Sequence, residues 1–345
     1  MQSARLRWLG IGAAVALLLV ASLSCKDSLT SSRSSSAAAA RGSVGAAAAS
    51  AELTASTVEI CGVIPATVII TENTRLSCDV VCTNTMGPCI QFGRDNITLF
   101  LNGFTMTGPA SPPTGCAASP AAGPPPNPGP FPYDGISTAG FDQVRIRGPG
   151  MVQQFRRHGI FLLGTDRAIV EGVTSHYNCY SGIFMGFSNE NEISENVSVR
   201  NGSASGAAPC GGNCITNSNG NRVRRNHYYG NGSVVVGPPL GTPNDFGVGL
   251  VGTSSDNLIE ENAVGGNING ILVFPAAARN LIRRNLFAGN PPVQVSVTAG
   301  TPVGVDIRNA SPPGANTFVE NFCITSEGAV APDPYPNFPK FRGQY

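Results

Sequence analysis

Residues 181–199 read SGIFMGFSNENEISENVSV, and this phrase returns through the middle of the chain. Its opening recurs as His-Gly-Ile-Phe at 158, Asn-Cys-Ile-Thr at 213 and Asn-Gly-Ile-Leu at 269, with looser copies at 134 and 247. The apolar anchors of these copies are Ile136, Ile160, Ile183, Ile215, Val248 and Ile271. They are spaced by 24, 23, 32, 33 and 23 residues. A repeating coil of about 23 residues, twice lengthened by an insertion, predicts a solenoid.

A second apolar position follows each anchor and stands three residues before an Asn. The apolar residues are Ile193, Val223, Ile259, Ile282 and Phe318, and the asparagines are Asn196, Asn226, Asn262, Asn285 and Asn321. A third recurring position of the repeat lies two residues after each Asn. Such alternation indicates short strands, because a helix would show a spacing of about 3.6 residues. Three short strands per coil predict an all-β fold, a triangular parallel β-helix of about eight coils.

The recurrent asparagines are predicted to form a structural ladder. Stacked coils lie roughly 4.7 to 4.9 Å apart, so equivalent amides can hydrogen-bond along the stack. The residues just before them alternate in charge, as Glu195, Arg225, Glu261, Arg284 and Glu320. Opposite charges on adjacent strands stabilise each other. This charged column is therefore interpreted as a surface ladder rather than a catalytic group.

The N-terminus has the form of a secretory signal. Arg5 and Arg7 precede an apolar run over residues 8–23, and Cys25 follows two residues later. Because the run is short and N-terminal, it predicts a signal peptide over residues 1–25 rather than a membrane span. Ser24-Cys25 resembles a bacterial lipoprotein cleavage site, which implies lipidation of Cys25; an ordinary signal peptide is the alternative. The expected location is exported, either anchored to the outer membrane or extracellular or periplasmic in a bacterium.

Composition divides the rest of the chain. Residues 26–57 are rich in Ser and Ala and are predicted to be a flexible tether. Residues 58–108 form an N-terminal cap and first coil, 134–327 the repeats, and 328–345 a C-terminal tail. Residues 109–133 are dominated by Pro, Gly and Ala, which predicts a long loop between cap and repeats. Insertions at 202–212 and 232–245 are expected to be further loops that help to build a binding face.

Residues 97–108, Ile-Thr-Leu-Phe-Leu-Asn-Gly-Phe-Thr-Met-Thr-Gly, alternate like a strand and then turn. Here the chain resembles the right-handed parallel β-helix proteins of the pectate lyase-like superfamily, and the resemblance covers about residues 58 to 327. It implies the fold but no catalytic set. The paired Asp, Gly-His-Gly and Arg-x-Lys signatures of polygalacturonases and the Asp-Pro-His-Glu type of alginate epimerases are absent.

Charge and cysteine content limit the partners. The net charge is +1 and 12% of residues are charged, so nucleic acid is not an expected partner. Ten cysteines in an exported chain predict disulfides, with Cys61–Cys82 and Cys210–Cys214 as the favoured pairs. Their spacings lack nearby His partners, so no metal site is predicted. No cofactor is expected, although Ca²⁺ is possible if the protein is a lyase.

An outward column predicts a candidate binding surface. If the Ile anchors point inward, the next residues point outward, and these are Ser137, Phe161, Phe184, Thr216, Gly249 and Leu272. Phe161 and Phe184 then lie side by side and can stack on a sugar ring. Arg156 and Arg157 lie at the same corner and complete the predicted substrate-binding set. The alternative is that the proline-rich loop covers the two phenylalanines.

A second column, two residues before the anchors, offers catalytic candidates. Its members are Asp134, His158, Ser181, Asn213, Phe246 and Asn269. If the first three converge, His158 can act as general base, oriented by Asp134, with Ser181 as nucleophile or substrate ligand. The alternative is a polar ladder that caps the turns. A lyase would also need carboxylates, and Asp134, Asp142, Asp166 and Glu171 are scattered.

His227 and Tyr229 are predicted to face outward on a third strand, beside Val197 and Val199 of the preceding coil. A packing site for the 232–245 insertion and a functional surface are both compatible with this position. The role expected for the whole chain is polysaccharide recognition at the cell surface. The alternatives are a pectate lyase-like lyase or glycoside hydrolase, and a structural or adhesive surface protein without catalysis.

Overall fold

The structure is a computed structural model that describes residues 58–112, 114–116, 133–202, 211–232, 246–290 and 305–328. The predicted signal peptide, the tether, most of the 109–133 loop and nearly all of the C-terminal tail lie outside these ranges. The described residues form strands joined by turns. Within them, no helix is long and apolar enough to span a membrane.

The strands are short and follow one another around successive coils. In chain order they are β1 (Val58–Ile64), β2 (Val68–Ile70), β3 (Thr74–Cys82), β4 (Ile90–Phe92), β5 (Thr98–Phe100), β6 (Thr105–Thr107), β7 (Ile136–Ser137), β8 (Arg145–Gln153), β9 (Ile160–Leu163), β10 (Ile169–His176), β11 (Ile183–Gly186), β12 (Glu192–Ser194), β13 (Val197–Val199), β14 (Gly211–Thr216), β15 (Arg222–Arg224), β16 (His227–Tyr229), β17 (Phe246–Val251), β18 (Leu258–Glu260), β19 (Ala263–Gly265), β20 (Asn269–Val273), β21 (Leu281–Arg283), β22 (Leu286–Phe287), β23 (Ile307–Asn309), β24 (Thr317–Val319), β25 (Phe322–Cys323) and β26 (Ser326–Gly328).

These strands form a parallel β-helix with three faces. The first face is a ten-stranded sheet in the order β2-β4-β7-β9-β11-β14-β17-β20-β23-β26. The second and third faces are two arms of one larger sheet, and the long strands β3, β8 and β10 run from one arm into the other. Ten strands on the first face exceed the predicted eight coils, partly because residues 58–108 contribute both β2 and β4.

The register of the first face differs from the prediction at one coil. Ile183 pairs with Asn213, and Asn213 pairs with Val248, so Ile215 stands opposite Met185 instead. Asn213 therefore faces the interior, where its Nδ2 donates to the hydroxyl of Tyr228 at 3.3 Å. A buried polar side chain with a partner across the core can replace an apolar one. The predicted alignment missed this because it assumed that every inward anchor is apolar.

Buried asparagines close the three corners of the coils from β11 to β22. The ladder between the second and third faces is the predicted one, Asn196, Asn226, Asn262, Asn285 and Asn321. In it, Asn226 Oδ1 accepts the backbone N–H of Asn196 at 2.9 Å and its Nδ2–H at 3.1 Å, while Asn226 Nδ2 donates to the Ile193 carbonyl at 2.9 Å. Each such bond contributes about 0.5 to 1.5 kcal/mol net. Bonded along the stack, they hold the register of the coils.

Two further ladders were not predicted. Asn191, Asn221, Asn257, Asn280 and Asn316 line the corner between the first and second faces. Asn178, Asn201, Asn231, Asn267 and Asn290 line the corner after the third face. The signal was present in the sequence as asparagines five residues apart, for example Asn191, Asn196 and Asn201. Buried Asp306 ends the third ladder, since its Oδ1 accepts from Asn290 Nδ2 at 2.8 Å.

The charged column before the predicted ladder lies in strained turns. Glu195, Arg225, Glu261, Arg284 and Glu320 have φ between 52° and 58°, the left-handed region. That conformation costs a non-glycine residue about 1 kcal/mol or more. Arg225 lies 2.9 Å from Glu195, and Arg284 lies 3.2 Å from Glu261, so neighbouring coils carry opposite charges in contact. The ladder amides beside each turn offset the backbone strain.

The disulfides differ from the predicted pairs. Cys61 bonds to Cys78 and Cys82 bonds to Cys89, so the predicted Cys61–Cys82 bridge is wrong. The reason is register: Cys82 stands opposite Ile64, whereas an irregularity between Ile60 and Gly62 brings Cys61 beside Cys78. A third bridge, Cys116–Cys179, ties the start of the proline-rich loop to a later turn.

The second predicted bridge, Cys210–Cys214, involves Cys210, which lies outside the described residues. Cys214 is instead a buried thiol on the outer side of the first face, with its Sγ 3.5 Å from Thr216 Oγ1. Burial raises its pKa to about 12. A thiol with so high a pKa is unreactive at neutral pH.

Replacing one ladder amide should be costly. In Asn226→Ala, the backbone N–H of Asn196 and the carbonyl of Ile193 lose their buried partner, and we expect a loss of roughly 3 kcal/mol in the free energy of unfolding. Urea unfolding followed by circular dichroism measures it. Asn219→Ala is the matched control, because exposed Asn219 also accepts a backbone N–H, from Ser255 at 3.0 Å. Equal losses in both variants would contradict a special role for the buried ladder.

Candidate functional site

The predicted catalytic residues form a column but do not converge. Asp134, His158 and Ser181 lie on successive coils, just before β7, β9 and β11. Asp134 Oδ1 accepts the backbone N–H of His158 at 3.0 Å, and His158 Nδ1 accepts the backbone N–H of Ser181 at 3.1 Å. Asp134 and His158 thus each bond to the backbone of the next coil, which is the geometry of a ladder that caps turns. In the next coil this position is held by Gly211 instead of the predicted Asn213.

The contacts of His158 do not suit a general base. Because Nδ1 accepts a hydrogen bond, the proton of the neutral ring lies on Nε2, and no lone pair remains to take a proton. Burial, followed by the charge of Arg157, lowers the pKa of His158 well below its usual value, so the ring stays neutral. Ser181 is buried, and its side chain interacts with the Cys214 thiol rather than with a base. These contacts do not assemble a base and nucleophile pair.

Asp134 is a buried carboxylate with an incomplete set of partners. Its Oδ2 lies 3.6 Å from Nη1 of Arg157, beyond hydrogen-bond distance, and the carboxylate is fully buried. Burial raises the pKa of Asp134 to about 6, against the opposing effects of Arg157 and of the His158 backbone N–H. A carboxyl with this pKa titrates close to neutral pH. Because it interacts with Arg157 and the His158 backbone N–H among the described residues, the consequence of this titration is for stability.

Asp134 should make stability fall as pH rises from about 4 to 6. Over that interval the folded protein holds the proton more tightly than the unfolded chain does, and the shift from 3.8 to about 6 corresponds to roughly 3 kcal/mol. Asp134→Asn keeps an oxygen for the His158 N–H and removes the titration, so its stability should fall less across this range. Unfolding in urea at several pH values from 4 to 8 measures the difference.

The matched control for that experiment is Asp142→Asn. Asp142 lies at the surface and its Oδ1 accepts the backbone N–H of Asp166 at 2.8 Å, as Asp134 Oδ1 does for His158. A profile flattened equally in both variants, or in neither, would show that Asp134 is not the group responsible.

The predicted aromatic pair is in place but is largely covered. Phe161 pairs with Phe184 on adjacent strands, and their ring centroids lie 5.3 Å apart. Phe161 is only 3% exposed, because the His158 ring stacks on it at 5.4 Å and the Arg157 guanidinium lies 4.6 Å from its centroid. Phe184 is half-buried and lies 4.6 Å from the His158 ring. The prediction that Phe161 presents an open stacking face is therefore wrong.

The two predicted arginines also contact their own chain. Arg157 bridges Phe161 and Asp134, as described above. Arg156 Nε donates to the Gly115 carbonyl at 2.8 Å, and its guanidinium lies 4.5 Å from the Tyr133 ring. Nearby, the Cys116–Cys179 bridge packs with Ala110 and Tyr180. This corner is thus a packed junction between the first loop and the coils, which the sequence pattern did not indicate.

The carboxylates that a calcium site would need do not form one cluster. Asp95, Asp142 and Asp166 stack at one surface corner, where Asp95 Oδ1 accepts from Asp142 N and Asp142 Oδ1 accepts from Asp166 N, both at 2.8 Å. Asp134 and Glu171 lie away from this stack. Among the residues that the structure describes, no three His, Cys, Asp or Glu side chains form a group able to hold a metal ion.

The third face carries an open row of aromatic and polar side chains that we call the Tyr strip, formed by Gln153, His176, Tyr177, Arg200 and Tyr229. Gln153, His176, Val199 and Tyr229 are register partners on successive strands. Tyr177 and Arg200 occupy the next position of the turn, where both have φ near 55°. The register of four adjacent strands thus brings together residues far apart in sequence.

The side chains of the Tyr strip contact one another loosely. The His176 and Tyr177 rings meet edge to face at 5.1 Å, and the Arg200 guanidinium lies 5.9 Å from the Tyr177 ring. His176 Nδ1 lies 3.4 Å from Gln153 Oε1. Burial, and then the charge of Arg200, lowers the pKa of His176, so it is a neutral hydrogen-bonding group at pH 7. This surface combines ring faces with hydrogen-bond donors and acceptors.

Tyr229 is the exposed ring of the strip. It is 62% exposed, although its register position allowed packing beneath the 232–245 insertion. A Cβ added to Gly266 would lie 3.0 Å from the ring, so the ring rests against this glycine of the next coil. The sequence correctly placed Tyr229 outward. It gave no sign of Tyr177 and Arg200, because their column depends on the unrecognised third corner.

The family described as right handed beta helix region matches residues 134–322, more than half of the chain, and the protein belongs to this family. The handedness and the fold predicted from the sequence are thereby confirmed. No curated protein matches the chain.

Solved structures with a similar fold include the Dettilon tailspike protein (14% identity, TM-score 0.47), of which the chain covers 54% while 77% of the chain is matched. The A-module of an Azotobacter vinelandii mannuronan C-5 epimerase has 15% identity and a TM-score of 0.43, with 79% of this chain and 83% of that one covered. Pectate lyase Pel9A has 15% identity and a TM-score of 0.40, covering 79% and 64%. At these identities and TM-scores, the comparisons assign no activity to this chain.

Proposed function

We propose that this protein is an exported β-helix that recognises polysaccharide through the Tyr strip. The observation that carries the proposal is the Tyr229 ring, 62% exposed and supported from below by Gly266. An exposed, supported aromatic face offers the apolar side of a sugar ring a large rigid contact at little cost in side-chain entropy. Gln153, His176 and Arg200 supply donors and acceptors for hydroxyl groups around it.

The geometry of the strip suits a saccharide chain that runs along the solenoid axis. Tyr229 lies two strands beyond His176 in the register, which is roughly 10 Å at the usual strand spacing. Val199 lies between them and is half-buried, so no bulky side chain interrupts the row. A flat row of this kind binds an extended ligand by repeated weak contacts.

Recognition is favoured over cleavage by the contacts of the polar column. Asp134 and His158 cap backbone N–H groups, and Ser181 has no activating base. No observation in the described coils places a general acid opposite a nucleophile. A carbohydrate-cleaving enzyme is therefore the second candidate.

Export is part of the proposal. Three disulfides among the described residues are typical of proteins that fold in an oxidising compartment. A signal peptide over residues 1–25, with lipid on Cys25 and a tether over 26–57, would hold the β-helix away from the membrane. Polysaccharides of the cell surface or its surroundings would then be within reach.

The test is retention of the full chain on immobilised neutral and acidic polysaccharides, with and without calcium. Tyr177→Ala/Tyr229→Ala should weaken retention on the preferred polysaccharide about thirtyfold, because the loss of each stacked ring removes on the order of 1 kcal/mol. Tyr229→Phe keeps the ring and should retain most of the binding. Phe187→Ala, which removes an exposed ring at a different corner, is the matched control.

Two outcomes would replace the proposal. New reducing ends or unsaturated products that disappear in His158→Ala would establish an enzyme. No retention on any polysaccharide, with a folded protein confirmed by circular dichroism, would favour a structural or adhesive role.

A further inference from the structure

The second face carries a cleft near the N-terminal end of the solenoid, separate from the Tyr strip. Its volume is about 490 Å³, and its polar lining consists of Asn73, Asn96, Thr98, Gln143, Arg145 and Arg167. Thr98 and Arg145 are register partners on β5 and β8. The cleft therefore spans adjacent coils.

The turn residues in this lining share one backbone conformation. Asn96, Gln143 and Arg167 have φ values of 59°, 56° and 57° on three successive coils. Equivalent turn positions project their side chains in the same direction, so two amides and a guanidinium are presented along one wall. Amide NH₂ and guanidinium groups are hydrogen-bond donors, and a wall of donors suits an oxyanion.

Arg167 lies farther from its neighbouring carboxylates than Arg279 and Arg283 of later coils do. Its guanidinium lies 3.5 Å from Asp142 and 3.9 Å from Glu190, both beyond hydrogen-bond distance. By contrast, Arg279 and Asp256 are 2.6 Å apart, and Arg283 and Glu260 are 2.7 Å apart. The flanking carboxylates hold Arg167 in place without taking up its N–H groups by direct hydrogen bonds.

We infer that this cleft is a binding site for the oxyanion, sulfate or carboxylate, of an acidic polysaccharide. Arg145 and Arg167 provide the charge, and Gln143 and Asn96 donate to the oxyanion or to neighbouring hydroxyls. The inference does not depend on the Tyr strip. The two sites are connected, however, because β8 begins with Arg145 of the cleft and ends with Gln153 of the strip.

The experiment compares one glucan backbone with and without charge. The full chain is titrated with dextran, carboxymethyl-dextran and dextran sulfate in affinity electrophoresis at low and moderate salt. The charged polymers should retard the protein more than dextran does, and salt should reduce the difference. Comparison of the two charged polymers shows which oxyanion is preferred.

Variants test whether the charged polymers bind in the cleft. Arg145→Gln/Arg167→Gln should weaken binding of the preferred charged polymer by about tenfold, since it removes both charge-assisted donors. Arg225→Gln is the matched control, an exposed arginine beside Glu195 outside the cleft. Gln143→Glu is a second test that removes no cation and should weaken binding by adding a negative charge.

Equal retardation by dextran and by both charged polymers would overturn the inference. So would wild-type affinity in a folded Arg145→Gln/Arg167→Gln or Gln143→Glu protein. Tyr177→Ala/Tyr229→Ala should leave the difference between charged and uncharged dextran intact, so failure of the cleft and failure of the Tyr strip give different results.

Discussion

The hydrogen bonds of the buried corner asparagines are the interaction on which this solenoid depends. Every coil must reverse direction three times, and each reversal leaves backbone N–H and carbonyl groups that the strand ladders do not reach. One amide side chain has two donors and an acceptor, so it bonds with the backbone of one coil and the amide of the next. Asn226 shows this with bonds to Asn196, Ile193 and Asn262. An apolar residue of the same size would leave those groups unpaired.

The turns between the strands also determine how side chains are arranged on the surface. Because a left-handed residue occupies the same turn position in successive coils, the side chains at that position form columns along the solenoid axis. One column carries the charged residues from Glu195 to Glu320, which alternate in sign. A second carries Tyr177 and Arg200, and a third carries Gln143 and Arg167. The same turn geometry thus builds a structural ladder at one corner and candidate binding surfaces at the other two.

Much of the fold could be predicted because burial repeats with the coil. The anchors Ile160 and Ile183, the ladder from Asn196 to Asn321 and the outward position of Tyr229 all follow from period and alternation. The predictions that were wrong depend on side-chain conformation or on exceptions to the pattern. Asn213 occupies an apolar position because Tyr228 can pair with it, and Phe161 is covered because Arg157 folds across it. Cys61 meets Cys78 through an irregularity of strand pairing that no spacing reveals.

The position of the third corner has a consequence for how such a chain can vary. In the coils of β13 and β16, the third-corner residues Asn201 and Asn231 precede the segments 203–210 and 233–245 in the sequence. Their side-chain amides hydrogen-bond to the neighbouring coil. The hydrogen bonds of this corner are therefore made by residues that precede each insertion, and β14 and β17 continue the first face after it. A loop of different length or composition can therefore replace an insertion at this corner without changing the strand register of the neighbouring coils.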